Sequence, residues 1–391
     1  MNRLLECSWS QGWSKVPSLE PEALVRKAVS RAGVAADIDM VGWRDRLTIL
    51  CSDLHEHARL SPLGRTIAHG QLVGTLVSRF RAHALRRRYA EIDEVPITAP
   101  IILLGQMRSG STRMQRLLAC DPSLDSTRFY ESWNPVSAGW PLLGMDDRKL
   151  RGWAGMASAR LLNPEFDTIH PTGWNVPDEE IGLHNLSIFG TAFEAQWRVP
   201  NYAAKVEEGD SRGVYKEFRR FLQIIRWSRR DRRDRPWVLK VPQFAQDVSS
   251  LAEAFPDARF LYLARDPAQV IASSASLVCN QMMIQSNEVD PRWVAREWFR
   301  KVMLRSERLS ASKALLRPAL EIGFEEVAND WRQQIKRVYH MLGRDPQPQA
   351  LFAMERYMRA SAAHGKGHRY VQPDIDPSVL ANVGRAALQS A

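Results

Sequence analysis

Residues 101–118 read IILLGQMRSGSTRMQRLL and hold the densest set of groups able to grip an anion. The unbroken apolar run Ile101 to Leu104 predicts a strand buried on both faces, and it ends at Gly105. The loop that follows carries Arg108, Ser109, Gly110, Ser111 and Thr112, and a helix then opens with Met114, Leu117 and Leu118 on one face. Amides at a helix start, together with the helix dipole, favour negative charge. Gly110 lets the backbone approach a ligand closely, Ser111 and Thr112 add hydroxyl donors, and Arg108 adds a planar cation suited to phosphate-like groups. Against the nucleoside-triphosphate loop G-x-x-x-x-G-K-[ST], Gly105 and Gly110 keep the glycine spacing, but Ser111 stands where the lysine belongs. Without that lysine, ATP chemistry loses its main charge clamp, so the loop predicts a site for a single phosphate-like group.

A second motif lies in LYLARDPAQVIASSASL (261–277). A strand runs into Arg265-Asp266-Pro267 and a helix follows, with Ser273 eight residues after the arginine. From the helix start Arg265 can reach back over the strand end, while Ser273 lies two turns along. On these two motifs the sequence resembles the sulfotransferases that use 3'-phosphoadenosine 5'-phosphosulfate (PAPS), in particular a bacterial branch whose loop reads P-R-S-G-[ST]-T, with Met107 here in place of the usual proline. The resemblance implies that Arg108, Ser109, Gly110, Ser111 and Thr112 hold the 5'-phosphosulfate and that Arg265 and Ser273 grip the 3'-phosphate. FEEVANDW (324–331) looks like the family's segment after its next strand. HGKGHRY (364–370), with Lys366, Gly367 and Arg369, is similar to the basic tail that closes over the nucleotide. The likeness runs from about residue 60 to about 370.

Moving a sulfuryl group to a hydroxyl or amine needs in-line positioning, stabilisation of charge on the bridging oxygen and a base for the acceptor's proton. Arg108 and the loop amides would hold the donor. Lys240, ending WVLK, is the expected donor to the bridging oxygen, and it matches a lysine of the tyrosylprotein-sulfotransferase-like members. For the base, Glu131 in RFYESWNP matches in spacing the glutamate of those same members, and His170 in TIHPTGW is its rival because cytosolic small-molecule sulfotransferases use a histidine. His184 and the pair Glu179-Glu180 are further candidates for the acceptor pocket. No metal site is expected: His55 and His57 are two apart, which points them to different faces of a helix. The reaction as read needs no divalent ion.

These groups require a frame. WVLKVP (237–242) and ARFLYLAR (258–265) repeat the strand pattern of 101–104, and helical patterns occupy 244–255, 267–279 and 329–342. Strands alternating with helices predict an α/β fold, a P-loop-type three-layer α/β/α core around a parallel sheet. Residues 1–95 read as a helical amino-terminal extension packed on that core, with apolar residues three or four apart in 21–33 and 64–92. Residues 96–391 read as the catalytic α/β domain, interrupted at about 130–235 by a tryptophan-rich helical insertion. Such an insertion lies beside the carboxyl ends of the strands, where open sheets bind ligands, and is the candidate acceptor-binding lid.

The composition sets outer limits. The 391 residues are 45% hydrophobic and 25% charged, which excludes disorder, collagen and coiled coil. Only ten of the 54 basic residues are lysine, and the net charge of +10 is carried by arginines. Their densest runs, Arg86-Arg87-Arg88 and 229–235, read as a helix end and a solvated loop, which argues against nucleic acid and for a small anionic ligand. No apolar run is long enough for a signal peptide or a membrane span, so a cytoplasmic protein is expected. Four dispersed cysteines are expected to be reduced and buried. The acceptor stays open among small molecules, glycans, lipids and peptides, as does the oligomeric state. A P-loop kinase or nucleotide hydrolase, and a non-catalytic nucleotide binder, are the competing readings.

Overall fold

The computed structural model describes residues 1–139, 146–169, 171–231 and 233–364. Its centre is a five-stranded sheet, all parallel, made of β1 (Ile101–Gly105), β2 (Asp125–Ser126), β3 (Trp237–Lys240), β4 (Arg259–Ala264) and β5 (Ala319–Gly323), in the spatial order β2-β3-β1-β4-β5. β1 is central and buried along its whole length. Because side chains alternate along a strand, Ile102 and Leu104 of β1 join Trp237 and Leu239 in one core, while Ile101 and Leu103 join Val238, Leu261 and Leu263 in another. Each core needs a covering layer, and helices supply both.

On the amino-terminal side, α1 (Asn2–Ser10), α2 (Pro21–Ala32), α3 (Trp43–Glu56) and α4 (Pro62–Arg88) precede the sheet. α5 (Ser111–Leu118) and α6 (Phe129–Trp133) follow β1 and β2, and α7 (Asp147–Leu162), α8 (Phe166–Ile169), α9 (Ile181–Leu186), α10 (Thr191–Gln196), α11 (Pro200–Glu208) and α12 (Arg212–Arg229) lead to β3. After it come α13 (Val248–Ala254), α14 (Pro267–Gln285), α15 (Pro291–Ala311), α16 (Phe324–Asn329), α17 (Trp331–Met341) and α18 (Pro348–His364). The first core is shared by Leu24, Leu47 and Leu76 of the early helices, Phe218 and Phe221 of α12, and one face of the sheet. The second core packs Met114 and Leu117 of α5, Ile335 and Val338 of α17 and Met354 of α18 on the opposite face. The result is the three-layer arrangement expected from the alternation of strands and helices.

Capping chemistry fixes two helices that matter for the site. Ser61 accepts at its hydroxyl from the Gly64 amide and Pro62 opens α4, while Asp266 accepts at its carboxylate from the Gln269 amide and Pro267 opens α14. The two helices touch where Gly64 faces Gln285: a Cβ on Gly64 would lie 1.8 Å from the Gln285 carbonyl oxygen.

Arg79 of α4 is fully buried and ties three segments together. Its guanidinium donates to both carboxylate oxygens of Asp37 (3.0 and 2.7 Å) and of Glu217 on α12 (2.7 and 2.9 Å), and to the Leu186 carbonyl. His83, one turn further on α4, lies 2.9 Å from Glu217. Burial pushes the Glu217 carboxyl up, but the hydrogen bond from His83 and the Arg79 guanidinium outweigh it and hold the group down at about 2.

Two expectations from the sequence need correction. The arginine run from 229 is not simply a solvated loop: Arg229 pairs with Asp125 and Glu131 and lies over the Trp237 ring, because β2 and β3 are neighbours and bring those acids to the end of α12. The cysteines are all free, but only Cys51 and Cys279 are buried, while Cys120 is half-buried and Cys7 is exposed on α1. Among the described residues no helix is long and apolar enough to cross a membrane.

Candidate functional site

The site forms where β1, β3 and β4 end. Register places Gly105 beside Leu263 and Leu103 beside Lys240, so the loop 106–110, the segment after β4 and the last residue of β3 converge on the start of α5. Gly110 caps α5 with φ of +87°, and the helix ladder begins with the Arg113 and Met114 amides, both donating to the Gly110 carbonyl. The amides of residues 110–112 therefore stand ahead of the ladder, at the positive end of the helix dipole.

The two sequence motifs interlock there. Arg108, itself at φ of +69°, donates from Nε to the Ser273 hydroxyl at 2.9 Å, and Arg265 donates from Nη1 to the Arg108 carbonyl at 2.6 Å. The Arg265 guanidinium lies 4.0 Å from the ring centroid of Phe324, the first residue of α16. Phe324 in turn closes against the loop: a Cβ on Gly110 would meet its ring at 2.7 Å. Gly110→Ala is therefore expected to destabilise the fold by about 1–3 kcal/mol, combining a strained left-handed residue with a displaced ring. A denaturation midpoint equal to wild type would show that the loop yields instead.

Lys240 is buried, and its ammonium donates to the Thr112 hydroxyl at 2.8 Å and pairs with the Glu179 carboxylate. Its backbone amide donates to Glu180 Oε2 at 2.6 Å. Burial raises the Glu180 carboxyl to about 8, and the side chain acts as a strand-end clamp. Arg108, Lys240 and Arg265 thus surround one helix N-terminus, with Glu179 as the carboxylate set against Lys240. Ser109 is buried under the loop, and Ser111 is buried at the first turn of α5.

Glu131 occupies an environment unlike the one expected of a base. Its side chain is 1% exposed. Oε2 accepts from the Arg128 amide at 2.9 Å as the third residue of α6, and Oε1 accepts from Arg229 Nε at 2.7 Å. Both oxygens also meet a further donor, Arg229 Nη2 at Oε2 and the Tyr130 hydroxyl at Oε1. A carboxylate engaged in this way holds α6 to the end of α12. His184 also departs from expectation. It is buried against Tyr215, Phe218 and Phe244 at ring distances of 5.2, 4.8 and 5.6 Å, and burial lowers its imidazole to about 3. It is a neutral core residue between α9 and α12. His170, Lys366, Gly367 and Arg369 lie outside the described residues.

Two contributors escaped sequence reasoning. Phe324 carries no polar signal, and only the sheet order that sets β5 beside β4 brings it under Arg265. Arg229 was read as part of a charge run, and its partners lie 98 and 104 positions earlier in the chain.

A model described as the sulfotransferase family matches residues 100–348 of the chain. Among solved structures, the sulfotransferase STF1 from Mycobacterium tuberculosis H37Rv superposes with a TM-score of 0.78 at 22% identity, covering 91% of this chain and 100% of that one. The sulfotransferase STF9 from Mycobacterium avium superposes with a TM-score of 0.81 at 20% identity, covering 95% and 96%. None of the curated proteins compared with this chain matches it.

Proposed function

Because the chain belongs to the sulfotransferase family, we propose that it transfers a sulfuryl group from PAPS to a hydroxyl or amine by in-line displacement. The observation that carries this reading is the interlocked loop pair. Arg108 reaches Ser273, Arg265 reaches the Arg108 backbone, and Lys240 stands at Thr112, so that the donors attributed to two separate phosphate sites share one rigid frame. The residues present suit a nucleotide with a group at each end. Arg108, Gly110, Ser111 and Thr112 would hold the phosphosulfate, with Ser109 supporting the loop from beneath, and Arg265 with Ser273 would hold the 3'-phosphate. Bound there, the nucleotide supplies a sulfuryl group on a good leaving phosphate.

The protein's own work is electrostatic. Lys240 faces the place where the bridging oxygen gains charge, and its buried position makes that charge-assisted hydrogen bond stronger than it would be in water. Ser111 in the lysine position of the triphosphate loop speaks against a kinase or nucleotide hydrolase. Melting of the wild type with added ligand separates the readings. Protection by 3',5'-diphosphoadenosine but not by ATP with magnesium is expected, and the reverse order would remove the proposal.

Arg265 gives a sharper test. The wild type is expected to bind 3',5'-diphosphoadenosine at least about tenfold more tightly than adenosine 5'-phosphate, the scale of a hydrogen bond to a charged group. Arg265→Ala should lose most of that preference. Titration calorimetry with both nucleotides reads the difference, and an unaltered preference in the variant would assign Arg265 to holding the Arg108 loop alone.

A further inference from the structure

We infer that Glu179 takes the acceptor's proton, an assignment that rests on the sulfuryl-transfer reading and names the base for it. A general base must lie within hydrogen-bond reach of the reacting hydroxyl. Lys240 marks that neighbourhood, because the bridging oxygen it would serve is bonded to the sulfur under attack. The Glu179 carboxylate is in direct contact with that ammonium, which also holds the Thr112 hydroxyl at the start of α5. The Lys240 ammonium thus stands between the start of α5 and this carboxylate, which puts Glu179 next to the proposed reacting centre.

The backbone that carries Glu179 is held firmly. The preceding residue is held on both sides: the Asp178 carbonyl accepts from Gln115 Nε2 of α5 at 3.1 Å, and the Asp178 amide donates to the Thr127 carbonyl at 3.1 Å. The following residue, Glu180, is clamped to the Lys240 amide at 2.6 Å. The segment 178–180 is thus pinned to α5, to the chain beyond β2 and to the end of β3.

The neighbouring acids are excluded on chemistry. Glu180 is fully buried, with one oxygen held by the Lys240 amide, and Glu131 is 1% exposed with both oxygens committed. The Glu179 side chain keeps 17% exposure, enough to meet an acceptor and then release its proton to solvent.

The step balances as follows. The acceptor oxygen forms a bond to sulfur while its proton passes to a Glu179 carboxylate oxygen. The bond from sulfur to the bridging oxygen breaks, and its electron pair stays on the 5'-phosphate beside Lys240. The products are a sulfate monoester and 3',5'-diphosphoadenosine, and Glu179 returns its proton to water.

The test uses the full chain with PAPS and two probe acceptors in mildly alkaline buffer: 4-methylphenol, which keeps its proton, and 4-nitrophenol, which arrives largely ionised. Glu179→Gln is expected to slow transfer to 4-methylphenol by about a hundredfold and transfer to 4-nitrophenol by only a few-fold. Equal losses with both phenols would make Glu179 a partner that merely positions Lys240 and overturn the assignment, as would full activity with both. Melting with 3',5'-diphosphoadenosine keeps the two levels apart. Protection of wild type and variant alike, with equal turnover, sinks only the base, whereas no protection of the wild type sinks the donor reading beneath it.

Discussion

Lys240→Met is expected to lower the rate of sulfuryl transfer by about a thousandfold while changing affinity for 3',5'-diphosphoadenosine by less than tenfold. Methionine keeps most of the side chain's length and its apolar packing at the end of β3, so the loss would report chiefly on charge. The ammonium is buried and touches Thr112 at the start of α5, where the bridging oxygen would gain charge as the bond to sulfur breaks. A fixed donor aimed at developing charge in a site shielded from water contributes a factor of about 10² to 10³, and a full positive charge lies at the upper end of that range. Single-turnover rates and nucleotide titration separate the two effects. A variant that binds poorly but turns over normally when saturated would place Lys240 in ground-state binding. Lys240→Arg should recover little, because a planar, delocalised fork does not reproduce the compact point charge that meets Thr112 and Glu179.

Arg79→Ala is expected to destabilise the protein by about 3–5 kcal/mol, the cost of leaving buried charges without their partner. Asp37 and Glu217 each lose a two-pronged bond, and water does not reach them, since their side chains are 2% and 3% exposed. The network joins α4 and α12, so the loss should be visible in both layers of the first core. Replacing Arg79, Asp37 and Glu217 together with apolar residues of similar size should recover much of the stability, because no charge is then stranded. The same carboxylate sets an acid limit. Glu217 is held at about 2 in the folded chain against an ordinary value of 4.5, so the unfolded chain binds the extra proton between those values. Its contribution is complete above about pH 4.5 and disappears as pH falls towards 2. Denaturant midpoints measured across that interval should fall more steeply in the wild type than in the triple apolar variant. Parallel curves would remove Glu217 as the cause.

The parts that local sequence patterns determine were legible before any coordinates. Uninterrupted hydrophobic runs at 101–104, 237–239 and 260–263 form parallel strands, since a strand largely covered on both faces has little polar side to show. The start of α5 was readable because a glycine free to take the left-handed turn, followed by small hydroxyl residues, marks a strand-to-helix turn. The cap of α14 was readable because an acid followed by proline opens a helix. The two-residue β2 and the half-exposed β5 left no comparable pattern: one is too short for a period to appear, and the other is at the sheet edge with its burial mixed.

The sequence by itself determined the anion-gripping character of the loop on which the proposed ligand rests, because hydroxyls, glycine and arginine at a helix start act through contacts a few residues long. Only the tertiary structure decided how each of the nearby acids is placed, which is what sets the proposed base apart from the others. Glu131, Glu179 and Glu180 are the same kind of carboxyl group in sequence. Their surroundings differ because β1 lies between β3 and β4, and the chain after β2 folds back over the end of β3. That arrangement sets Glu131 against Arg229, 98 residues away, seals Glu180 beneath the Lys240 amide and leaves Glu179 at the Lys240 ammonium, 61 residues away. A carboxylate's chemistry depends on its burial and on the charges that face it, and both come from segments far apart in the chain.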